Sequence, residues 1–347
     1  MSAAAEPGVS NRPEGDNSAW LGLQQEDALE PDLPICDPHH HLWDFEAHRY
    51  LLPDLLADVT SGHNVRSTVF IECTSMYRNS GPEELRPLGE TEFVNGAAAM
   101  SASGRYGTAR ACAGIVGFAD LCLGARVEAV LEAHLAVSGG RFRGIRHISA
   151  FDPSGAIRRS HTNPPLQLLG EKRFREGFAR LQPLGLSFDA WLYHPQIPEL
   201  TELARAFPDQ PIVLNHVGGP LGIGPYAGKR EEILPLWRKS IGALAHCPNV
   251  SVKLGGLGMK IIGYDFHKRT RPPGSEELAA LWRPYIETCI EAFTPQRCMF
   301  ESNFPVDKVS GSYRVYWNAF KRLAAGASVS EKALLFHDTA TAFYRLS

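Results

Sequence analysis

The chain has 347 residues, 44% of them hydrophobic, 21% charged and 10% aromatic, a balance that excludes disordered, collagenous and coiled-coil classes. A formal charge of −3, with Lys and Arg scattered along the sequence, gives no basic field for a phosphate backbone, so nucleic acid is not an expected partner. The seven cysteines, Cys36, Cys73, Cys112, Cys122, Cys247, Cys289 and Cys298, form no CxxC pair, and no signal peptide or apolar stretch of about 18 residues is present, so a cytoplasmic protein without a membrane partner is expected.

Residues 1–33 read as an N-terminal arm with a disordered tip and a docked remainder around Trp20, Leu21 and Leu23. Short apolar runs then recur at 33–39, 67–73, 111–117, 142–148, 186–192, 211–216, 250–254 and 298–303. Between them, amphipathic segments fall at 91–103, 126–136, 174–181, 199–207, 234–245 and 276–293. Eight such runs separated by helices predict an α/β fold, a (β/α)8 TIM barrel over 34–347 whose strands are covered on both faces. An open doubly wound sheet fits less well, because no GxGxxG or GxxxxGK[ST] follows the first run. Two connections, 79–90 and 260–274, are long and punctuated by Pro and Gly, and are expected to act as lids.

The first run ends Asp37-Pro38-His39-His40-His41-Leu42-Trp43-Asp44. Strand alternation points His39 and His41 one way and His40 the other, so two imidazoles meet at the barrel mouth, a spacing that suits a divalent metal or an anion. His216 follows at the tip of the sixth run, before Val217-Gly218-Gly219-Pro220. Three histidines with an open position make a catalytic zinc arrangement. The fourth run closes Arg143-Gly144-Ile145-Arg146-His147; Arg146 offers a planar fork for a carboxylate or polarised carbonyl, or else pairs with a structural carboxylate, while His147 points away. Trp43, His194, Gln196 and Glu72 are candidate substrate contacts, Glu72 because a carboxylate inside so apolar a strand must be paired or functional. Lys253 reads as one half of a barrel ion pair.

DPHHHLWD, GIRH, LNHVGG, VKLGG and FPVDK in this order resemble the amidohydrolase-2 family, and within it the lactonase branch that opens 2-pyrone dicarboxylates and sugar-acid lactones. The resemblance covers roughly residues 33–345. It implies a barrel hydrolase in which activated water opens a lactone, with His39, His41 and His216 in the histidine positions and Arg146 gripping substrate. The chain departs from the family at the eighth strand, which usually ends Gly-Ser-Asp-Trp-Pro. Here it reads Phe300-Glu301-Ser302-Asn303-Phe304-Pro305, so Asn303 stands in place of the basic Asp. An amide cannot take a proton from water near neutral pH. Glu301 shares the parity of Asn303 one layer deeper and is the candidate base, with Glu72, Asp189 and Asp307 as alternatives.

The expected metal set is therefore His39, His41, His216 and Asn303, holding at most one weakly bound Zn or Mn because an amide is a poorer ligand; operation without metal is open. The expected activity is hydrolysis of a lactone or related cyclic ester of a small organic or sugar acid, its partner a small-molecule substrate, with a homo-oligomer possible in principle. The alternatives are non-hydrolytic decarboxylation of an aromatic acid on the same barrel, and a barrel that binds a metabolite without turnover.

Overall fold

Short runs dense in Val, Ile, Leu and Phe cannot leave either face in water, and the chain satisfies them by pairing in parallel with helices packed outside. In the computed structural model, which describes residues 15–45, 48–158 and 160–346, eight parallel strands make one sheet among the described residues. They are β1 (Pro34–His40), β2 (Asn64–Ile71), β3 (Arg110–Gly117), β4 (Phe142–Ile145), β5 (Ser187–Ala190), β6 (Ile212–Leu214), β7 (Val250–Leu254) and β8 (Cys298–Phe300), each hydrogen-bonded to the next in chain order. This is the (β/α)8 barrel that the spacing of apolar runs predicts. Five of the strands stop earlier than their apolar runs; β5, for example, ends at Ala190 and β8 at Phe300.

The seam between β1 and β8 is closed differently from the other joints. No regular ladder joins them; instead the His41 amide donates to the Phe304 carbonyl (2.8 Å) and the Asn303 amide to the His39 carbonyl (2.9 Å), with a single parallel bridge from His40 to Phe304. Deeper down, Asp37 ties β1 to the far side by accepting from the Ser302 amide (3.0 Å) and from the Tyr313 hydroxyl (3.0 Å).

Of the N-terminal arm, residues 1–14 and with them the expected disordered tip lie outside the described residues. The following segment docks as Trp20, Leu21 and Leu23 suggest only in part: Leu21 is buried and the Trp20 indole donates to the Arg269 carbonyl (2.9 Å), whereas Leu23 is exposed. No helix among the described residues is long and apolar enough to cross a membrane. All seven cysteines are free thiols, and most sit in the core as small hydrophobes.

Four histidines outside the barrel mouth set an acid limit. His63, His134, His147 and His194 are buried and each is held down to about 4, burial being the largest cause. A base whose folded value is depressed contributes stability above its unfolded value near 6.5, and that stability is lost as pH falls toward 4. Each group costs about 1.4 kcal/mol per pH unit across that window. Burial acts oppositely on Asp37 and Glu90, raised to about 6 and about 8, whose stabilisation is lost as pH rises through those values. Among the described residues nine imidazoles are lowered and five carboxyls raised, so calorimetry is expected to show a lower Tm at pH 5 than at pH 7. An equal or higher Tm at pH 5 would contradict neutral, buried imidazoles.

Candidate active site

At the C-terminal end of the barrel, β1 delivers His39 inward while His40 turns outward to bond Thr68 Oγ1 (2.8 Å), as strand alternation requires. His41, just past the strand, donates from Nδ1 to the Ile71 carbonyl (2.8 Å). That bond fixes its tautomer and leaves Nε2 with a lone pair. His216 follows β6 on a turn where His216 and Val217 both take positive φ (55° and 47°), a left-handed conformation that non-glycine residues hold only under surrounding constraint.

Glu301 supplies much of that constraint. It is completely buried beneath the histidines, with Oε1 accepting from His216 Nδ1 (2.6 Å) and from the His216 amide (3.0 Å). Its Oε2 lies 2.8 Å from His39 Nδ1 but without hydrogen-bond alignment, so it remains a buried carboxylate oxygen lacking a well-formed donor. Burial drives His39 and His41 well below the usual imidazole range and lowers His216 despite the opposing pull of Glu301. All three are therefore neutral bases at neutral pH.

The glycines of Val250-Ser251-Val252-Lys253-Leu254-Gly255-Gly256 make room for this pair. A Cβ on Gly255 would collide with the Glu301 backbone and Cγ, and one on Gly256 with Cβ, Cγ and Nδ1 of His216. Gly256 also has φ +69°, where a side chain is strained regardless of space. Gly256→Ala is thus expected to push His216 off Glu301, costing about 1–3 kcal/mol of stability and most of the turnover. Melting curves and kinetics on one preparation check it, and wild-type turnover would refute the packing argument.

Arg146 is held rigidly by Glu72. Its Nε donates to Glu72 Oε1 (2.7 Å), Nη2 donates to the Glu72 carbonyl, and Nη1 sits 3.3 Å from His39 Nε2. Glu72 is thus paired, as its apolar strand demands. His161 Nε2 stands 3.7 Å from the other Glu72 oxygen. Under the floor, Lys253 pairs with Asp189 (2.7 Å), and Asp189 also accepts from Asn215 (3.1 Å) and from the Tyr344 hydroxyl (2.9 Å). Lys253 is therefore the half of an ion pair that the sequence suggests, with Asp189 as its partner.

These groups surround a cavity of about 180 Å³ lined by His41, Trp43, Glu72, Arg146, Trp191, Tyr193, His216 and Asn303. Glu301 is one layer below that wall, which puts His216 between it and any ligand. Two expected contacts are corrected. Beyond Ala190 the chain leaves the strand for a turn at His194–Gln196, so parity no longer aims these side chains at the mouth. His194 Nδ1 accepts from the Leu221 amide (3.2 Å), and Gln196 braces the Phe151 amide and Ser149 carbonyl (2.9 and 2.7 Å).

The metal-competent group also differs from the expected quartet. Among the described residues, His39, His216 and Glu301 bring ligand atoms within 4.8 Å of one another; Asn303 instead donates its amide to Asp307 Oδ1 (2.9 Å) from a positive-φ turn. Two imidazoles and a carboxylate fit a zinc-like or manganese-like ion, and the donor-poor Oε2 of Glu301 is an atom that a cation would satisfy.

One part of the wall escapes sequence reasoning. Ile148, Ala150, Arg158, Ser160 and His161 come from the connection between β4 and the next helical turn; its only signal is the length and basic content of that stretch. The lids expected from 79–90 and 260–274 contribute no lining residue, although Met259 just before the second does.

The family model described as Amidohydrolase matches residues 36–346. The chain belongs to the amidohydrolase family. This amidohydrolase is 37% identical to the uncharacterised protein y4mH of Sinorhizobium fredii, over 91% of the chain and 99% of that relative. It is 25% identical to an L-fucono-1,5-lactonase of Burkholderia multivorans, over 89% of the chain and 95% of the relative. A crystal structure of a Burkholderia multivorans amidohydrolase with bound zinc superposes with a TM-score of 0.69 at 23% identity, covering 90% of the chain and 99% of that structure.

Proposed function

We propose that this amidohydrolase hydrolyses a lactone or related cyclic ester of a small hydroxylated or carboxylated acid. The observation that carries the proposal is the Glu301–His216 pair. Glu301 accepts the Nδ1 proton of a neutral His216, which leaves Nε2 as a basic lone pair on the cavity wall. His216 takes a proton from water as the water oxygen bonds to the lactone carbonyl carbon. The carbonyl oxygen gains charge, which Arg146 stabilises as a rigid donor fixed by Glu72. When the ring C–O bond breaks, the proton returns from His216 to the departing oxygen, and the products are a carboxylate and an alcohol on one chain.

Glu301 is thus a positioning residue acting through His216. Trp43, Trp191 and Tyr193 supply an apolar wall suited to a ring, and Asn303 Oδ1 is left to accept from a substrate hydroxyl once its Nδ2 is committed to Asp307. The lactonase relative and the zinc in the related structure support this class of reaction and a bound divalent ion. A divalent ion held by His39, His216 and Glu301 would engage the lone pair that His216 otherwise offers to water, and would itself supply the charge that polarises the carbonyl and acidifies water.

The test is product analysis on a panel of sugar-acid and dicarboxylate lactones, together with elemental analysis before and after chelation. The expected result is a ring-opened hydroxy acid with proton release and no gas, from protein carrying about one equivalent of zinc or manganese. Carbon dioxide as product would replace hydrolysis by decarboxylation. Ligand-induced stabilisation without any product would reduce the barrel to a binding protein.

A further inference from the structure

The Lys and Arg residues that look scattered in sequence are not scattered in space. Parallel strands all begin at the same end of a barrel, and three neighbours here begin with arginine: Arg66 near the start of β2, Arg110 opening β3, and Arg141 and Arg143 at the entry to β4. Arg110 pairs with Ser67, the residue after Arg66, and adjacent strands lie only about 4.8 Å apart. The four arginines and His337 line a pocket of about 390 Å³ at the end opposite the active site, and no Asp or Glu lines it.

Such a grouping normally recruits carboxylates. Among the described residues, ion pairs hold Arg78, Arg146, Arg180, Arg269, Arg283 and Arg322, none of them in this pocket, and none holds Arg66, Arg110, Arg141 or Arg143. Arg141 spends one nitrogen on Asn95 (2.6 Å) and Arg143 one on the Gly140 carbonyl (2.7 Å), while Arg143 Nε is buried with no hydrogen-bond partner. Arg345 reaches the Arg143 carbonyl (3.3 Å) and adds a fifth guanidinium. Burial first, and then Arg345 and Arg141, lower the affinity of Arg143 for its own proton. A protein of net charge −3 has here assembled uncompensated positive charge around a cavity twice the volume of the catalytic one.

We propose that this pocket binds a phosphate-class dianion, free or as the phosphoryl group of a small molecule. Guanidinium forks match phosphate oxygens in pairs, and the charge of a dianion removes the mutual repulsion of the arginines. The bottom face of a barrel serves stability rather than chemistry, so the ligand acts by holding β2, β3 and β4 together.

The experiment follows thermal unfolding of the full chain against inorganic phosphate, with sodium chloride keeping ionic strength constant. Tm is expected to rise and saturate. In Arg66→Gln/Arg110→Gln, which alters two exposed side chains and so spares the fold, half-saturation is expected to need at least about tenfold more phosphate. Arg158→Gln, in the catalytic cavity, is expected to keep the wild-type response. Phenyl phosphate separates the two sources: half-saturation about tenfold below that of inorganic phosphate favours a phosphorylated metabolite, and equal values favour the free anion. The proposal is overturned by the absence of a saturable shift, by an equal shift in the double variant, or by loss of the shift in Arg158→Gln. None of these readouts needs turnover, so their failure is distinct from failure of the proposed lactone hydrolysis.

Discussion

Glu301→Gln is expected to lower kcat/KM by about 10²–10⁴-fold while the protein still melts cooperatively. Glutamine keeps the size of the side chain, so packing against Gly255 is preserved. What changes is the hydrogen-bond code. Glu301 presents an acceptor to His216 Nδ1 and a second carboxylate oxygen 2.8 Å from His39 Nδ1, whereas a glutamine presents one oxygen and one NH2. If the oxygen faces His216, the NH2 confronts His39; if it turns the other way, His216 must adopt the tautomer with its proton on Nε2 and can no longer accept one from water. The loss should therefore appear mainly in kcat, with the pH–rate profile losing the acid limb that protonation of the base imposes. A variant with turnover within threefold of wild type would remove His216 and its buried carboxylate from the mechanism.

Lys253→Met is expected to be the most destabilising single change considered, at about 3–5 kcal/mol. The ammonium is fully buried between Asp189 Oδ2 and the Pro38 carbonyl (2.7 and 2.8 Å). Taking it away leaves Asp189 charged in the core with only Asn215 and Tyr344 as neutral donors. Adding Asp189→Asn to the same chain removes the orphaned charge and should recover a large part of the loss, because a buried ion pair replaced as a unit costs much less than a broken one. Thermal melts of the two single variants and the double variant measure the coupling. Simple additivity of the two losses would show that the pair is not a unit.

The features legible in the sequence are those governed by periodicity. Eight apolar runs forecast eight strands, and alternation correctly sent His39 inward and His40 outward. The two-residue spacing from Asn303 brought Glu301 to attention, and it does lie under the histidines. Parity fails where the strand ends, and the ends are set by tertiary pairing: β5 has partners only through Ala190, so His194 and Gln196 belong to a turn and brace the wall. The loop carrying Arg158, Ser160 and His161 has no period at all, and its place over the cavity comes from long-range packing. The basic pocket is illegible for a related reason, since Arg66, Arg110 and Arg143 lie far apart in the chain and meet only because parallel strands share an origin.

The seam between the first and last strands has a consequence for when this molecule can work. The two backbone bonds that stitch it involve His39, His41, Asn303 and Phe304, so the joint and the catalytic mouth are the same few residues, brought together across more than 260 positions of chain. Closing so long a loop is the entropically dearest contact in the barrel, and it depends on nearly every other strand being in place. During synthesis the nascent chain would thus be chemically silent until the eighth strand has emerged. In rising denaturant the same joint would be the first to open, and catalysis would fade while helical signal is still intact.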